Sequence, residues 1–426
     1  MKRLQKAPEL SQIKPVPEIL LDTDSMKLAR KFNEKYLHWN KLQYYDCGQY
    51  GRESLWYIMK TMRMNTCKTV NIGDLSLNYN MLDRFQKPLH QIDMALSLGL
   101  LPIDGFDDKR KVMLSVSSMM EESIASSQIE GAATTTKDAK KMLRDRINPK
   151  NKSEKMILNN YNAMEFIRTN LDRELSPEFI RELHSVVTSD TLEKPEYEGS
   201  FRKDNSIAVR DVITGETYHE PVSCELIDSM IESLCKFVND EDNYIHPVIK
   251  GILIHFITAY IHPFMDGNGR VSRSLFYWYT MKKGYSVMEY LSISKAIKKH
   301  KSGYEEAYRL CETDGNDVTY FIDYNIGMLM QSVKIFSDYL KEKINERRNV
   351  RDLTDECNIT QRQSDILASL MNSDTPQSVY ELASKIGMSL QTVRNDLYLL
   401  IDKGFVKESP KEGHKQMFAY SGKRSD

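Results

Sequence analysis

The segment from Val248 to Ile261 leaves a folding chain few options. Val248, Ile249, Ile252, Leu253, Phe256, Ile257, Tyr260 and Ile261 recur at helical spacing with almost no polar face, which predicts a helix buried at the centre of its domain. His262 closes that helix, and Pro263 bars its regular continuation. The run from Gly267 to Gly269 supplies the backbone freedom for a tight loop whose N–H groups converge on an anion. From Arg270 a second amphipathic helix is predicted through Val271, Leu275, Phe276 and Tyr279 to Gly284, which sits as its C′ glycine. A phosphate at the start of that helix meets free N–H groups and the positive end of the macrodipole. An imidazole, a carboxylate and two guanidinium groups lie within twelve residues, His262 to Arg273. That is the inventory of a site that handles a phosphate anion and a metal.

The same stretch fits H-x-F-x-D-G-N-G-R-x-x-R at eight fixed positions, which a chance glycine turn between helices does not do. It resembles the core motif of the Fic family, H-x-F-x-(D/E)-G-N-(G/K)-R-x-x-R, with no departure at any fixed position. The resemblance implies a mainly α fold: a Fic-type helical bundle with a small β-hairpin flap. It also implies transfer of a nucleotide monophosphate, usually AMP from ATP, to a Ser, Thr or Tyr hydroxyl of a protein. His262 would take the proton of the attacking hydroxyl, a role its near-neutral reference pKa suits. Asp266 would hold Mg²⁺, a hard cation that wants oxygen ligands from a carboxylate and from nucleotide phosphates. Gly267, Asn268 and Gly269 would form the anion hole, Arg270 would clamp the phosphates, and Arg273 would pair with the terminal one. Phe264 reads as a core anchor for the loop. Gly269 bears on the choice of reaction, because the branch of the family that resembles kinases carries Lys there.

A second stretch, Ser126-Ser127-Gln128-Ile129-Glu130-Gly131, places Ser126 and Glu130 on one helix face. Alone it describes a solvated residue near a helix end. Beside the first motif it resembles the family's inhibitory pattern, (S/T)-x-x-x-E-(G/N), at every fixed position, including Gly131. The resemblance implies that Glu130 reaches the nucleotide site and pairs with Arg273, so that ATP binds in a pose unsuited to in-line attack.

Around these motifs, residues 1 to 25 are proline-interrupted and read as an extended arm. Residues 25 to 63 carry an aromatic helical stripe that reads as core, and 65 to 85 as irregular or a short strand pair. Helices are predicted at 137–146, 153–171, 176–188 and 223–238, with Ser176-Pro177 as a start signal. Between the last two, Ile207, Val209, Val212 and Ile213 and then Tyr218 flank Thr214-Gly215-Glu216-Thr217, a hairpin signal. It resembles the family's flap, which implies a target protein docking near 201–220 by strand addition. Tyr290 and Tyr304 follow the core, and neither is assigned to adenine. A helix is predicted from about Val318 to Glu346, and the charged run 346–351 reads as a solvated linker. The resemblance covers roughly 110 to 315.

Past Ile359 the pattern changes. Thr360-x-x-Gln363 and Ser378-x-x-Glu381 are capping-box starts, Ser389 caps a third helix, and Phe405-Val406 and Met417-Phe418-Ala419-Tyr420 bracket a turn through Pro410 and Gly413. This is the layout of a winged helix-turn-helix. From Asn358 to Asp426 nine Lys and Arg face eight Asp and Glu, unlike a strong nucleic-acid footprint. Yet Lys407, Lys411, His414 and Lys415 cluster on the wing, and Gln391, Thr392, Arg394 and Asn395 are placed to address base edges. DNA contact and a role in docking a protein or a second copy of the chain stay open for 358–426.

At 426 residues the chain divides as 1–109, a helical region; 110–315, the Fic-like core; 316–357, a helical linker; and 358–426, the winged domain. A net charge of −1 gives no global case for nucleic acid or an anionic membrane. No apolar run reaches ~18 residues, no signal-peptide core is present, and the six cysteines have neither ligand spacing nor a disulfide framework. A soluble cytoplasmic protein is expected. A self-restrained adenylyltransferase, able to modify itself or another protein, is the favoured function. A DNA-binding regulator using the core as a nucleotide sensor, and an enzyme that removes AMP, are the alternatives.

Overall fold

The computed structural model describes residues 4–14, 17–96, 108–210, 215, 217–357, 359–371, 373, 375–412 and 415–421. The chain forms two compact units, Met1–Phe336 and Ser337–Asp426.

In the first unit, α1 (Thr23–Glu34), α2 (Trp39–Leu42) and α3 (Gly51–Met64) precede the antiparallel hairpin of β1 (Lys68–Ile72) and β2 (Leu75–Tyr79). Then come α4 (Asp83–Leu96), α5 (Asp108–Ile129), α6 (Thr136–Arg144), α7 (Lys152–Thr169) and α8 (Pro177–Thr188). A two-stranded flap, β3 (Val209–Arg210) against β4 (Thr217–His219), leads through α9 (Ile227–Asn239) to α10 (Pro247–Ile261) and α11 (Asn268–Lys282). The helices α12 (Ile293–Lys299), α13 (Lys301–Thr313) and α14 (Thr319–Cys357) follow, α14 continuing past the end of the first unit.

α10 is the buried helix the sequence announces. Lys250 and His255 are buried with its apolar residues, and the Lys250 ammonium donates to the Asp240 carbonyl at 2.7 Å. Gly251 lets α11 come close: a Cβ there would stand 3.0 Å from Thr280 Cγ2 and 3.1 Å from Phe276 Cδ2. Long side chains on α11, including Trp278 and Tyr277, are buried in turn.

Two expectations change. Among the described residues, 4–14 and 17–25 are no free arm, because Ala7, Ile13 and Ile19 are buried and Ala7 N–H donates to the Thr313 carbonyl at 2.7 Å. Two 3₁₀ turns, Leu10–Gln12 and Pro17–Leu20, carry this segment, and a three-residue repeat leaves no 3.6-residue pattern to read. The charged run 346–351, read as a linker, is helical and lies inside α14.

The N-terminal helices are tied to α13 and α14 by a buried charge cluster. Lys60 Nζ lies 2.7 Å and Arg63 Nη1 3.7 Å from the Asp314 carboxylate. Arg63 also donates to the Tyr320 hydroxyl at 2.8 Å, and the Tyr36 hydroxyl donates to Asp317 at 2.7 Å.

In the second unit, α15 (Gln361–Met371), α16 (Val379–Ile386) and α17 (Leu390–Asp402) pack over a three-stranded sheet, ordered β5-β7-β6: β5 (Gln377–Ser378), β6 (Val406–Glu412) and β7 (Lys415–Tyr420). The Thr360/Gln363 and Ser378/Glu381 boxes and the Ser389 cap all form. The short strand before α16 has no sequence signal of its own. Gly413 and His414 of the wing, like Val212, Ile213, Thr214 and Glu216 of the flap, lie outside the described residues. Among the described residues no helix is long and apolar enough to cross a membrane.

Removing one partner of a buried pair strands the other. Asp314→Ala, which takes the nearest carboxylate from Lys60 and a counter-charge from the buried Arg63, is expected to cost the first unit about 3 kcal/mol in urea unfolding; an unchanged midpoint would contradict the role given to this cluster.

Candidate active site

His262 caps α10 in the left-handed conformation, φ 52°. Its N–H donates to the Thr258 carbonyl at 3.1 Å, and its Nδ1 lies 3.2 Å from the Ala259 carbonyl. A carbonyl only accepts, so Nδ1 carries the proton and Nε2 keeps its lone pair. Burial lowers the His262 pKa to about 4, with the Ala259 carbonyl opposing that shift. The ring is therefore neutral at physiological pH.

The loop that follows is braced from within and from behind. Asn268 Oδ1 accepts from Phe264 N–H at 2.9 Å while its Nδ2 donates to the Phe264 carbonyl at 2.8 Å. The Asn268 side chain thus closes the loop and leaves the Asn268 backbone N–H for an anion. Phe264 is fully buried and stacks on His184, centroids 3.7 Å apart and planes within 4°. His184 Nδ1 accepts from Gly199 N–H at 3.0 Å, so Nε2 carries the proton and donates to the Asp266 carbonyl at 2.9 Å. Burial lowers the His184 pKa to about 4. Gly267, φ 85°, has no room for a side chain, since a Cβ would meet Thr188 Cγ2 at 2.8 Å.

Arg202 holds the loop's entrance. Its N–H donates to the Pro263 carbonyl and its Nε to the His262 carbonyl, both at 2.9 Å, and its Nη2 donates to the Val222 carbonyl. His184 and Arg202 were not singled out in the sequence. Arg202 falls only within the stretch near 201–220 expected to dock a target.

At the start of α11 the N–H groups of Asn268, Gly269 and Arg270 precede the first intrahelical bond, Val271 N–H to the Gly267 carbonyl at 3.0 Å. Asp266 is half-exposed beside them, its Oδ1 2.5 Å from Gly267 N and 3.6 Å from Arg270 Nη2. Arg270 is 0% exposed and donates from Nη1 to the Val187 carbonyl at 3.0 Å. Its Nε and Nη2 are buried without a hydrogen bond, and burial lowers its pKa. Nε and Nη2, the latter facing only the Asp266 carboxylate at 3.6 Å, form a cationic edge suited to phosphate oxygens.

Arg273, 3% exposed, faces α5. Its Nε donates to Ser126 Oγ at 2.9 Å, and its Nη2 donates to the Ser126 carbonyl at 3.1 Å and pairs with Glu130 Oε1 at 2.9 Å. Burial opposes its charge, but Glu130 beside it leaves the pKa raised. The Glu130 carboxylate, one-third exposed, stands directly over Gly269: a Cβ there would run into Oε1. Gly131, φ 95°, ends the helix behind it. Tyr304 is buried with its hydroxyl 2.8 Å from His255 Nε2, and Tyr290 stacks on Phe336.

The position of α5 is set two turns before Glu130. Glu122 is buried and accepts from the Tyr277 hydroxyl and from Ser294 N–H, each at 2.9 Å. Glu122, Ser126 and Glu130 are spaced by four, so one stripe carries anchor, brace and carboxylate. That spacing was legible, but Glu122 was not picked out. Lys301 Nζ donates to the Ile129 carbonyl at 2.9 Å and holds the helix end.

Residues 174–280 match the Fic/DOC family and residues 362–415 an HTH domain. Proteins named protein adenylyltransferase Fic are similar: that of Drosophila grimshawi is 30% identical over 162 residues, 37% of this chain and 32% of that protein, and that of Drosophila ananassae 31% identical over 163 residues, 37% and 31%. The chain thus spans about a third of the length of the curated relatives it matches. Among solved structures, a Fic family protein from Desulfovibrio desulfuricans aligns with a TM-score of 0.55 at 15% identity, over 80% of this chain and 96% of that one. Fic-1 from C. elegans aligns with a TM-score of 0.52 at 16% identity, over 75% and 86%. These two likenesses concern the fold. The chain carries a Fic domain followed by a C-terminal helix-turn-helix domain.

Proposed function

We propose that this protein transfers AMP from ATP to a protein hydroxyl and that Glu130 restrains the reaction. The observation that carries the reading is the Glu130 carboxylate, seated on Arg273 over the first turn of α11, where an anion is favoured. The likeness to proteins named adenylyltransferase supports the choice of nucleotide chemistry.

The attacking hydroxyl gives its proton to His262 Nε2 as its oxygen bonds to the α-phosphorus. The bond from that phosphorus to the bridging oxygen breaks, and pyrophosphate leaves. The N–H groups of the first turn and the Nε/Nη2 edge of Arg270 stabilise the charge that develops on the phosphoryl oxygens. The half-exposed Asp266 carboxylate suits Mg²⁺, which prefers one or two carboxylates plus substrate phosphates and would neutralise phosphate charge there. With Glu130 in place, Arg273 is unavailable to a terminal phosphate, and carboxylate and phosphate repel. Glu130→Gly is therefore expected to raise AMP incorporation from labelled ATP at least tenfold, and His262→Ala in that background to abolish it. Equal incorporation by wild type and Glu130→Gly would refute the restraint, and none by Glu130→Gly would refute the transferase.

A base whose pKa is lowered to about 4 stays competent well below the usual histidine range. Incorporation by Glu130→Gly is expected to hold between pH 7.5 and 5.5, where a histidine of ordinary pKa would lose about tenfold. An acid limb near pH 6.5 in the folded protein would contradict the assignment.

For the C-terminal domain we propose DNA contact through α17, whose Gln391, Arg394 and Asn395 are exposed, with Lys407, Lys411 and Lys415 on the wing. Arg362 adds little to that footprint, because it pairs with the buried Asp396 at 2.5 and 3.1 Å. The full chain is expected to shift duplex DNA with an affinity that falls with salt and weakens in Arg394→Ala; an absent or salt-independent shift would favour docking of a protein or a second copy.

A further inference from the structure

The strand returning from the flap is fastened to the helix that carries His262. His219, the last residue of β4, puts Nε2 2.7 Å from the Tyr260 carbonyl and Nδ1 2.6 Å from Glu312 Oε1 on α13. Its ring packs on Tyr260, centroids 4.9 Å apart, and stands 6.5 Å from the His262 ring. The preceding residue, Tyr218, lies under the Arg309 guanidinium of α13, whose Cζ is 4.5 Å from the Tyr218 ring centroid. Three residues beyond His219, the Val222 carbonyl accepts from Arg202, which also holds the His262 carbonyl.

Helix geometry explains the attachment points. The last carbonyls of α10 have no intrahelical donor. Ala259 is served by His262 itself, Tyr260 by His219, and the His262 carbonyl by Arg202. Donors at this end of a helix also sit at the negative pole of its dipole. The flap is therefore tied to the two carbonyls that bracket the turn into the catalytic loop, and any displacement of β4 is a displacement relative to His262.

We infer that His219 is a positioning residue: by linking β4 to Tyr260 and Glu312 it sets the distance between a polypeptide paired with the flap and His262 Nε2. The inference rests on the proposed adenylyl transfer, with the target segment added to the flap as a strand. Such a segment takes its register from the strand it pairs with, and a misplacement of about 1 Å costs on the order of a hundredfold in rate. ATP binds across the first turn of α11 and needs nothing from His219.

The test uses the full chain carrying Glu130→Gly, with label counted on the protein itself and as free AMP. Adding His219→Ala is expected to leave the affinity for ATP within about twofold and to lower at least tenfold the share of cleaved ATP whose AMP ends on protein. His219→Gln, which keeps one donor for the Tyr260 carbonyl, is expected to recover much of that share. Hydrogen exchange over 217–222 is expected to accelerate in His219→Ala. An unchanged share, or ATP affinity falling together with incorporation, would overturn the inference, as would unchanged exchange. Accelerated exchange in a Glu130→Gly protein that moves no AMP would support the fastening and sink the transferase reading instead.

Discussion

A buried guanidinium needs partners, and much of this site follows from the ones Arg273 finds. It sits one turn into α11 and is held by the Ser126 hydroxyl, the Ser126 carbonyl and Glu130. All three acceptors come from one helix, so α5 lies where Arg273 requires it. Glu122 then fixes the same helix two turns earlier through Tyr277 and Ser294. Glu122 and Lys301 hold α5 independently of the Glu130–Arg273 pair. In the proposed mechanism that pair is the charge-assisted contact a competing anion would have to replace.

The loop beside it is stiff for separate reasons. Asn268 closes it internally, His184 supports it from α8 by stacking and a hydrogen bond, and Arg202 fixes its entrance. His184 and His262 are both held neutral by burial, and each has its tautomer set by a backbone partner. The His262 ring is consequently held in one orientation, and in the proposed transfer that would lower the reorganisation required during reaction.

Much of this was legible in the sequence, where short-range chemistry dictates structure. The apolar stripe from Val248 to Ile261, the caps at Ser176, Ser378 and Ser389, and the spacing of Ser126 and Glu130 each depend on neighbours within one or two turns. Sequence separation hid the rest. His184 meets Asp266 across 82 positions and Arg202 meets His262 across 60, and nothing local distinguishes either from an ordinary core or surface residue. Asn268 is legible as part of the motif, but the two hydrogen bonds by which its side chain braces Phe264 are not. The buried cluster of Lys60, Arg63 and Asp314 escaped notice for the same reason: charge in a sequence usually means surface.

In the proposed mechanism Glu130 and a terminal phosphate compete for Arg273. Calorimetric titration with ATP and with ADP, for wild type and Glu130→Gly, tests it without depending on turnover or on the identity of a target. The preference for ATP over ADP is expected to rise about tenfold or more in the variant, the worth of one charge-assisted hydrogen bond. An ATP to ADP preference equal in the two proteins would contradict it.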